Sequence, residues 1–329
     1  MKILIIRFSS FGDIVQALPS VKSLHGRYPE AEIHWLTRLD LADLVNGHPN
    51  INKVMTLDRR AGFRGLLALM RELRGENYTH VYDAHNNLRS FFLRWTARLT
   101  WGVKSVIVRP KNRFKRFMFF KLRRPVFRTP FRGAISFLEP LARWQISTHL
   151  IPPPHFFLPV TSLDLPDSFV AMGPSAAWAT KRWPIESWKT LIELLPDLKI
   201  VLLGGPEDTF CADIAAVAPD RVINLAGRLS LIESCFVLRR SRVTISADTG
   251  LLHAADQMGV DNIGLIGPTA FGYTSQPQSV VLETQLYCKP CSKDGRTPCV
   301  NPVFQKCMRE ITPHSVAELT RVLWRRSQP

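Results

Sequence analysis

The chain has 329 residues, 46% apolar and 21% charged, which is material for more than one core. No run of about 18 apolar residues occurs, so no membrane-spanning helix is expected. The apolar start at Ile3–Ile6 is too short for a signal-peptide core, which places the chain in the cytoplasm. A net charge of +16 calls for an anionic partner: nucleic acid, a nucleotide or a phosphate-rich membrane surface.

Short apolar strands alternate with amphipathic helices from the N-terminus. Strands are predicted at Ile3–Arg7, Glu32–Thr37, Lys53–Leu57, His80–Asp83 and Val103–Val108. Helices are predicted at Ile14–Leu24, Leu39–Val45, Phe63–Leu73 and Leu88–Leu99. Such alternation implies right-handed βαβ units and a parallel sheet. Proline is dense from Ile151-Pro152-Pro153-Pro154 to Pro166-Asp167 and can continue neither a helix nor a central strand. The alternation then restarts with strands at Ser168–Met172, Lys199–Leu203, Val222–Leu225, Val243–Ser246 and Asn262–Ile266. Helices are expected between them, and Pro313–Arg326 reads as a last amphipathic helix. The expected fold is α/β, with a first domain over 1–155, a linker over 156–167 and a second domain over 168–312. The helix over 313–329 is expected to pack back on the first domain.

Ligands bind doubly wound sheets outside the carboxyl ends of the strands, so the loops after strands carry the chemistry. Ser9-Ser10-Phe11-Gly12-Asp13 follows the first strand and lacks the glycine pattern of a dinucleotide site. Asp13 reads either as a first-turn helix cap or as a general base for an acceptor hydroxyl. Asp248-Thr249-Gly250-Leu251 follows another strand and opens a helix whose N–H groups suit a pyrophosphate, with His253 one turn in. The loop from Gly173 through Ser175 to Lys181-Arg182-Trp183-Pro184 brings cations to the same end. In Gly204-Gly205-Pro206-Glu207-Asp208, Glu207 is placed either to hold ribose hydroxyls or to complement a helix dipole.

Taken together, SSFGD after the first strand, GPS…KRWP, GGPED, NLAGRLSL and DTGLLHAA resemble glycosyltransferase family 9, the ADP-heptose:lipopolysaccharide heptosyltransferases. The resemblance covers nearly the whole chain. It implies the GT-B fold, two Rossmann-like domains facing across a cleft, and inverting transfer with no cofactor and no metal for catalysis. By that resemblance Asp13 is the catalytic base and Lys181 acts at the diphosphate. Glu207 meets the ribose, Leu229 packs near adenine, Asp248 lies near the donor sugar, and Thr249 and Gly250 form the backbone cradle for the phosphates. Alanines stand at 176 and 177 where relatives often carry a hydroxyl, which leaves Ser175 or backbone for that contact. Ser10 and Gly12 fall on the acceptor side.

Between Asp83 and Glu139 there are fourteen cations and no acidic residue, more than an ordinary charge run. Arg113, Lys115, Arg116, Lys121, Arg123 and Arg124, interleaved with phenylalanines, are expected to meet an anionic lipopolysaccharide precursor at the inner-membrane surface. Cys288-x2-Cys291-x7-Cys299-x7-Cys307 is read as a structural zinc site or as reduced packing thiols. Two alternatives stay open. One is a GT-B transferase for another nucleotide sugar; the other is a nucleic-acid-binding protein with a four-cysteine zinc module.

Overall fold

Contacts in the computed structural model, which describes residues 1–148, 156, 158 and 162–327, gather the chain into two units. The first comprises Met1–Asn112 and Ala134–Pro159, the second Arg113–Gly133 and Val160–Pro329. The proline-rich opening at 151–155, and positions 157 and 159–161 of the expected linker, lie outside the described residues. The basic stretch Arg113–Gly133 groups with the second unit, whereas the sequence reading had it in the first.

In the first unit, strands β1 (Lys2–Ile6), β2 (Glu32–Arg38), β3 (Lys53–Leu57), β4 (His80–Asp83) and β5 (Ser105–Val108) form one parallel sheet in the order β3-β2-β1-β4-β5. Ile3, Leu4, Ile5 and Ile6 are all fully buried, as both faces of a parallel sheet must be when helices cover them. Helices α1 (Phe11–Ala17), α2 (Pro19–Arg27), α3 (Gly62–Gly75) and α4 (Leu88–Thr100) supply the crossovers. The single helix expected over Ile14–Leu24 is two. Pro19 has no N–H to donate, and it opens α2 at a first-turn position where none is needed. The helix expected over Leu39–Val45 is a 3-10 segment, Leu39–Leu44.

The second unit holds β6 (Val170–Gly173), β7 (Ile200–Leu202), β8 (Val222–Asn224), β9 (Val243–Ala247), β10 (Asp261–Leu265) and β11 (Ser279–Leu282), all parallel, in the order β11-β10-β9-β6-β7-β8. Its helices are α5 (Arg113–Lys121), α7 (Ile185–Glu193), α8 (Cys211–Ala215), α9 (Leu231–Arg240), α10 (Gly250–Met258), α11 (Lys306–Arg309) and α12 (Pro313–Arg326), while α6 (Gly133–Leu138) begins at the border. Trp183 and Trp188 meet edge to face at 5.0 Å in its core, and the Trp183 indole donates to the Ile311 carbonyl at 3.0 Å. The apolar face of α12 packs on α7, β9 and β10 of its own unit, where the sequence reading had sought its partner in the first domain. Each such buried aliphatic or aromatic side chain stabilises by about 1.5–3 kcal/mol before entropy is counted.

Both sheets reverse strand order at one point, between β1 and β4 in the first unit and between β6 and β9 in the second. There the crossovers leave to opposite sides and open a crevice at the strands' carboxyl ends. The loops after β1, β4, β6 and β9 therefore hold the candidate chemistry.

Candidate active site

At the switch point of the first unit, Ser10 is the N-cap of α1, Gly12 is its second residue and Asp13 its third. The Ser10 backbone N–H and hydroxyl both donate to Asp13 Oδ2, at 3.4 and 3.1 Å, so the capping role is real. A second role is available as well. Arg7, buried at the end of β1 and donating to the Ala84 carbonyl at 2.9 Å, ion-pairs with Asp13 Oδ2 at 2.5 Å. The Asp13 side chain is still 41% exposed. Its burial works against the charge, but Arg7, Arg109 and Ser10 outweigh it and hold the carboxyl below the usual carboxylate range. Asp13 is thus ionised at neutral pH and open to solvent, the state that an acceptor of protons requires.

Across the same switch point, buried Asp83 accepts from the backbone N–H groups of His85 and Asn86, at 3.0 and 2.6 Å, and pairs with Arg94. His85 sits against Phe8, ring centroids 5.2 Å apart. Burial and then the Arg7 charge push its pKa down to about 4, so it is neutral at pH 7. Sequence reading passed over His85, which carries no motif; its position after β4, beside the Asp13 loop in the strand order, is what singles it out.

In the second unit, the loops after β6 and β9 bring three predicted residues together. Lys181 Nζ lies 3.3 Å from Asp248 Oδ2, and His253 Nε2 lies 3.5 Å from Oδ1. Asp248 would be raised by its burial, but Lys181, then His253 and Thr269, hold it far below the usual range. His253 is buried, and its Nδ1 has no hydrogen-bond partner. Thr249 is the extended N-cap of α10, its hydroxyl 3.0 Å from that of Ser246, and Gly250 is the first helical residue. The opening N–H groups of α10 have no carbonyl one turn back to bond, so they remain donors for an anion.

Two glycines fix this cluster. A Cβ built on Gly272 would overlap the Asp248 carboxylate. Gly295, at φ +92°, lies under the stem of Lys181, where a Cβ would meet Cγ at 2.7 Å. Gln305 donates to the Arg182 carbonyl at 3.0 Å and also to that of Ala179, and Thr180 donates to the Gly295 carbonyl. The cysteine-bearing segment thereby buttresses the turn that carries Lys181, a relationship with no sequence signal beyond the glycine.

Other predicted residues stand apart from that cluster or serve other contacts. Ser175 is half-buried after β6, and Leu229 is half-buried just before the N-cap Ser230 of α9. Glu207 is exposed. Its neighbour Asp208 holds the turn instead, accepting the Gly205 N–H at 2.7 Å and lying 3.7 Å from Arg182. Arg182 also donates to the Ala176 carbonyl at 2.9 Å, so it braces the loop.

The basic tract is only partly free for a ligand. Phe119, Phe120, Phe127 and Phe131 pack their rings around Phe271, with Arg116 stacked over the same ring at 5.3 Å. Arg123 donates to the Pro290 carbonyl at 2.6 Å. Arg113, Lys115, Lys121 and Arg124 are exposed. A cavity of about 550 Å³ opens between this tract and β11, lined by Phe119, Arg132, Tyr273, Glu283 and Lys289 among others. Its lining includes none of Lys181, Asp248 and His253, so the switch point is the better candidate for chemistry.

Cys288, Cys291, Cys299 and Cys307 line one narrow pocket. No three of their sulfurs lie within 4.8 Å of one another. Among the described residues, the one group of three or more His, Cys or carboxylate ligand atoms lying within 4.8 Å of one another is Glu32, His34 and Glu76. Burial raises the Cys291 thiol and pushes Cys307 up to about 11, which keeps both protonated. The Glu32–His34–Glu76 group is already served by cations: Lys2 lies 2.6 Å and Lys53 2.5 Å from Glu76.

Residues 155–300 match the model of glycosyltransferase family 9 (heptosyltransferase). The lipopolysaccharide heptosyltransferase 1 of Pseudomonas aeruginosa is 25% identical, over 89% of this chain and 86% of its own. Among solved structures, E. coli ADP-heptose lps heptosyltransferase II superposes with a TM-score of 0.74 at 19% identity, over 100% of both chains. E. coli heptosyltransferase WaaC with ADP superposes at 0.71 and 20%, over 98% of this chain and 100% of that one. Two doubly wound units of this topology have the GT-B fold. Over residues 155–300 the chain is similar to glycosyltransferase family 9 (heptosyltransferase).

Proposed function

We propose that the chain transfers a heptose from ADP-heptose to the inner core of a lipopolysaccharide precursor, either to its Kdo sugar or to a preceding heptose, inverting the anomeric carbon. The observation that carries the proposal is the Lys181–Asp248–His253 cluster at the mouth of α10, in a chain whose relatives are lipopolysaccharide heptosyltransferases.

The diphosphate of the donor binds at the N–H groups of Thr249, Gly250 and Leu251, with Lys181 as counter-ion. Glu207 takes the ribose and Leu229 the adenine. Asp248 orients Lys181 and faces the heptose with His253. On the acceptor side, Asp13 removes the proton from the attacking hydroxyl. The new bond joins that oxygen to the anomeric carbon, the bond from that carbon to the β-phosphate oxygen breaks, and ADP leaves with the bonding pair. Lys181 and the α10 N–H groups stabilise the charge that grows on the leaving diphosphate, usually the larger electrostatic contribution, while a positioned base adds about 10²–10⁴-fold. No metal is assigned a step. Arg113, Lys115, Lys121 and Arg124 meet the anionic acceptor at the cytoplasmic face of the inner membrane, with Ser10 and Gly12 at the reacting end. No helix among the described residues is long and apolar enough to cross a membrane.

ADP release from ADP-heptose in the presence of defined core acceptors tests the reading. Turnover in the wild type with loss in Asp13→Ala and Lys181→Ala supports it; full activity in Asp13→Ala removes the mechanism.

A further inference from the structure

Helix α4 in the first unit is apolar on two opposite faces. Ser90, Leu93 and Ala97 are buried and fasten it to the unit. On the other side Leu88, Phe91, Phe92, Trp95 and Leu99 are 71%, 44%, 44%, 56% and 63% exposed. Their spacing, three or four residues apart, confines them to an arc of roughly 100° on a helix with 3.6 residues per turn. Arg89 and Arg98 are exposed and fall on the two borders of that arc. The helix contains no acidic residue, and none occurs anywhere between Asp83 and Glu139.

An ordinary surface helix turns polar residues outward; one with five large apolar side chains outward marks an interaction site. The charge pattern identifies the partner. Against a second copy of the chain, Arg89 and Arg98 would approach their own equivalents with no carboxylate on the helix to pair with. Against an anionic bilayer, the arginines meet phosphates while the aromatic and leucine side chains enter the headgroup boundary, the arrangement of an in-plane amphipathic helix. The basic tract over Arg113–Arg132 is less suited, because four of its phenylalanines are packed around Phe271. Two further exposed apolar side chains, Phe63 and Leu67, stand on the neighbouring helix α3.

We infer that α4 is the surface by which the first unit docks on anionic lipid. This rests on the reading of the acceptor as a membrane-held anionic lipid, and it names the face that meets the bilayer. The helix is held firmly for that task. Asn87 caps it by accepting the Ser90 N–H at 2.9 Å, and Arg94 turns inward to pair with Asp83 in the loop after β4. Helix α4 is thereby tied to the loop after β4, at the strand-order reversal beside β1.

The test is co-sedimentation of the full chain with vesicles of phosphatidylcholine alone and of phosphatidylcholine with phosphatidylglycerol. The wild type is expected to bind the anionic vesicles. Phe92→Ser with Trp95→Ser should weaken that binding at least ten-fold, and Arg89→Gln with Arg98→Gln about five-fold per charge. All four side chains are exposed, so thermal melts should match the wild type. Undiminished vesicle binding by both double variants overturns the inference, as does a dimer that the aromatic variant converts to monomer while vesicle binding persists. ADP release with a water-soluble, delipidated acceptor should be unchanged in both double variants. Absence of ADP release in the wild type would defeat the assigned reaction and leave the vesicle result to be judged alone.

Discussion

Lys181 and Asp248 come from loops 67 positions apart in sequence, yet their charged atoms lie 3.3 Å apart, with side chains only 12% and 13% exposed. The pair forms because the loops after β6 and β9 flank the one strand-order reversal of their sheet. A lysine held there is desolvated, aimed and ready to meet a second anion. Replacing Lys181 with Ala removes charge from the leaving diphosphate, and kcat should fall by about 10²–10³. Replacing it with Met should do nearly the same, since stem volume without charge leaves the diphosphate unpaired. Steady-state kinetics with ADP-heptose checks both.

Asp248→Ala should damage the fold as well as activity. It leaves the Lys181 ammonium without its partner in a mostly buried site, a loss of about 1–3 kcal/mol. Thermal melting should show a lowered Tm for Asp248→Ala and a near-native one for Lys181→Ala with Asp248→Ala together.

Gly295→Ala tests the buttress under Lys181. Its Cβ would press on the Lys181 stem, so turnover should fall several-fold. The strain of a positive φ must be separated from that push. Gly47→Ala serves as the control, because Gly47 has φ +76° and nothing within 4 Å of its Cβ. The two variants should lose similar stability, about 1 kcal/mol, and only Gly295→Ala should lose activity.

The pH dependence follows from the depressed carboxyls. A group whose folded pKa lies below its unfolded value supports the native state above the ordinary carboxylate range. That support is lost as pH falls through the depressed value. Asp13 and Asp248 are both of this kind, so activity should hold from neutrality well into the acid range. Arg7→Met removes the charge 2.5 Å from Asp13, and the acidic limb of kcat/KM should move to higher pH. An unmoved limb would assign it to another group.

Much of this was legible in the chain itself. Strand positions could be read because buried parallel strands are near-continuous apolar runs, as in Ile3–Ile6, and because glycine, proline and aspartate punctuate the loops that follow. The Lys181, Asp248 and His253 positions were visible as loop motifs, and the structure gathers them. Other features depend on contacts remote in sequence. Strand β11 escaped notice because Ser279–Leu282 is short and half-buried at a sheet edge, with no amphipathic helix after it. The packing of the basic tract on Phe271 spans some 150 residues, and no local pattern records it. The supports at Gly272 and Gly295 exist only as missing side chains.

The most direct measurement is a structure of the chain with ADP bound. The account predicts the diphosphate at the α10 mouth, within hydrogen-bonding reach of Lys181 Nζ and of the N–H groups of Thr249, Gly250 and Leu251. A diphosphate in the cavity beside Arg132 and Lys289, with Lys181 still closed on Asp248, would contradict it.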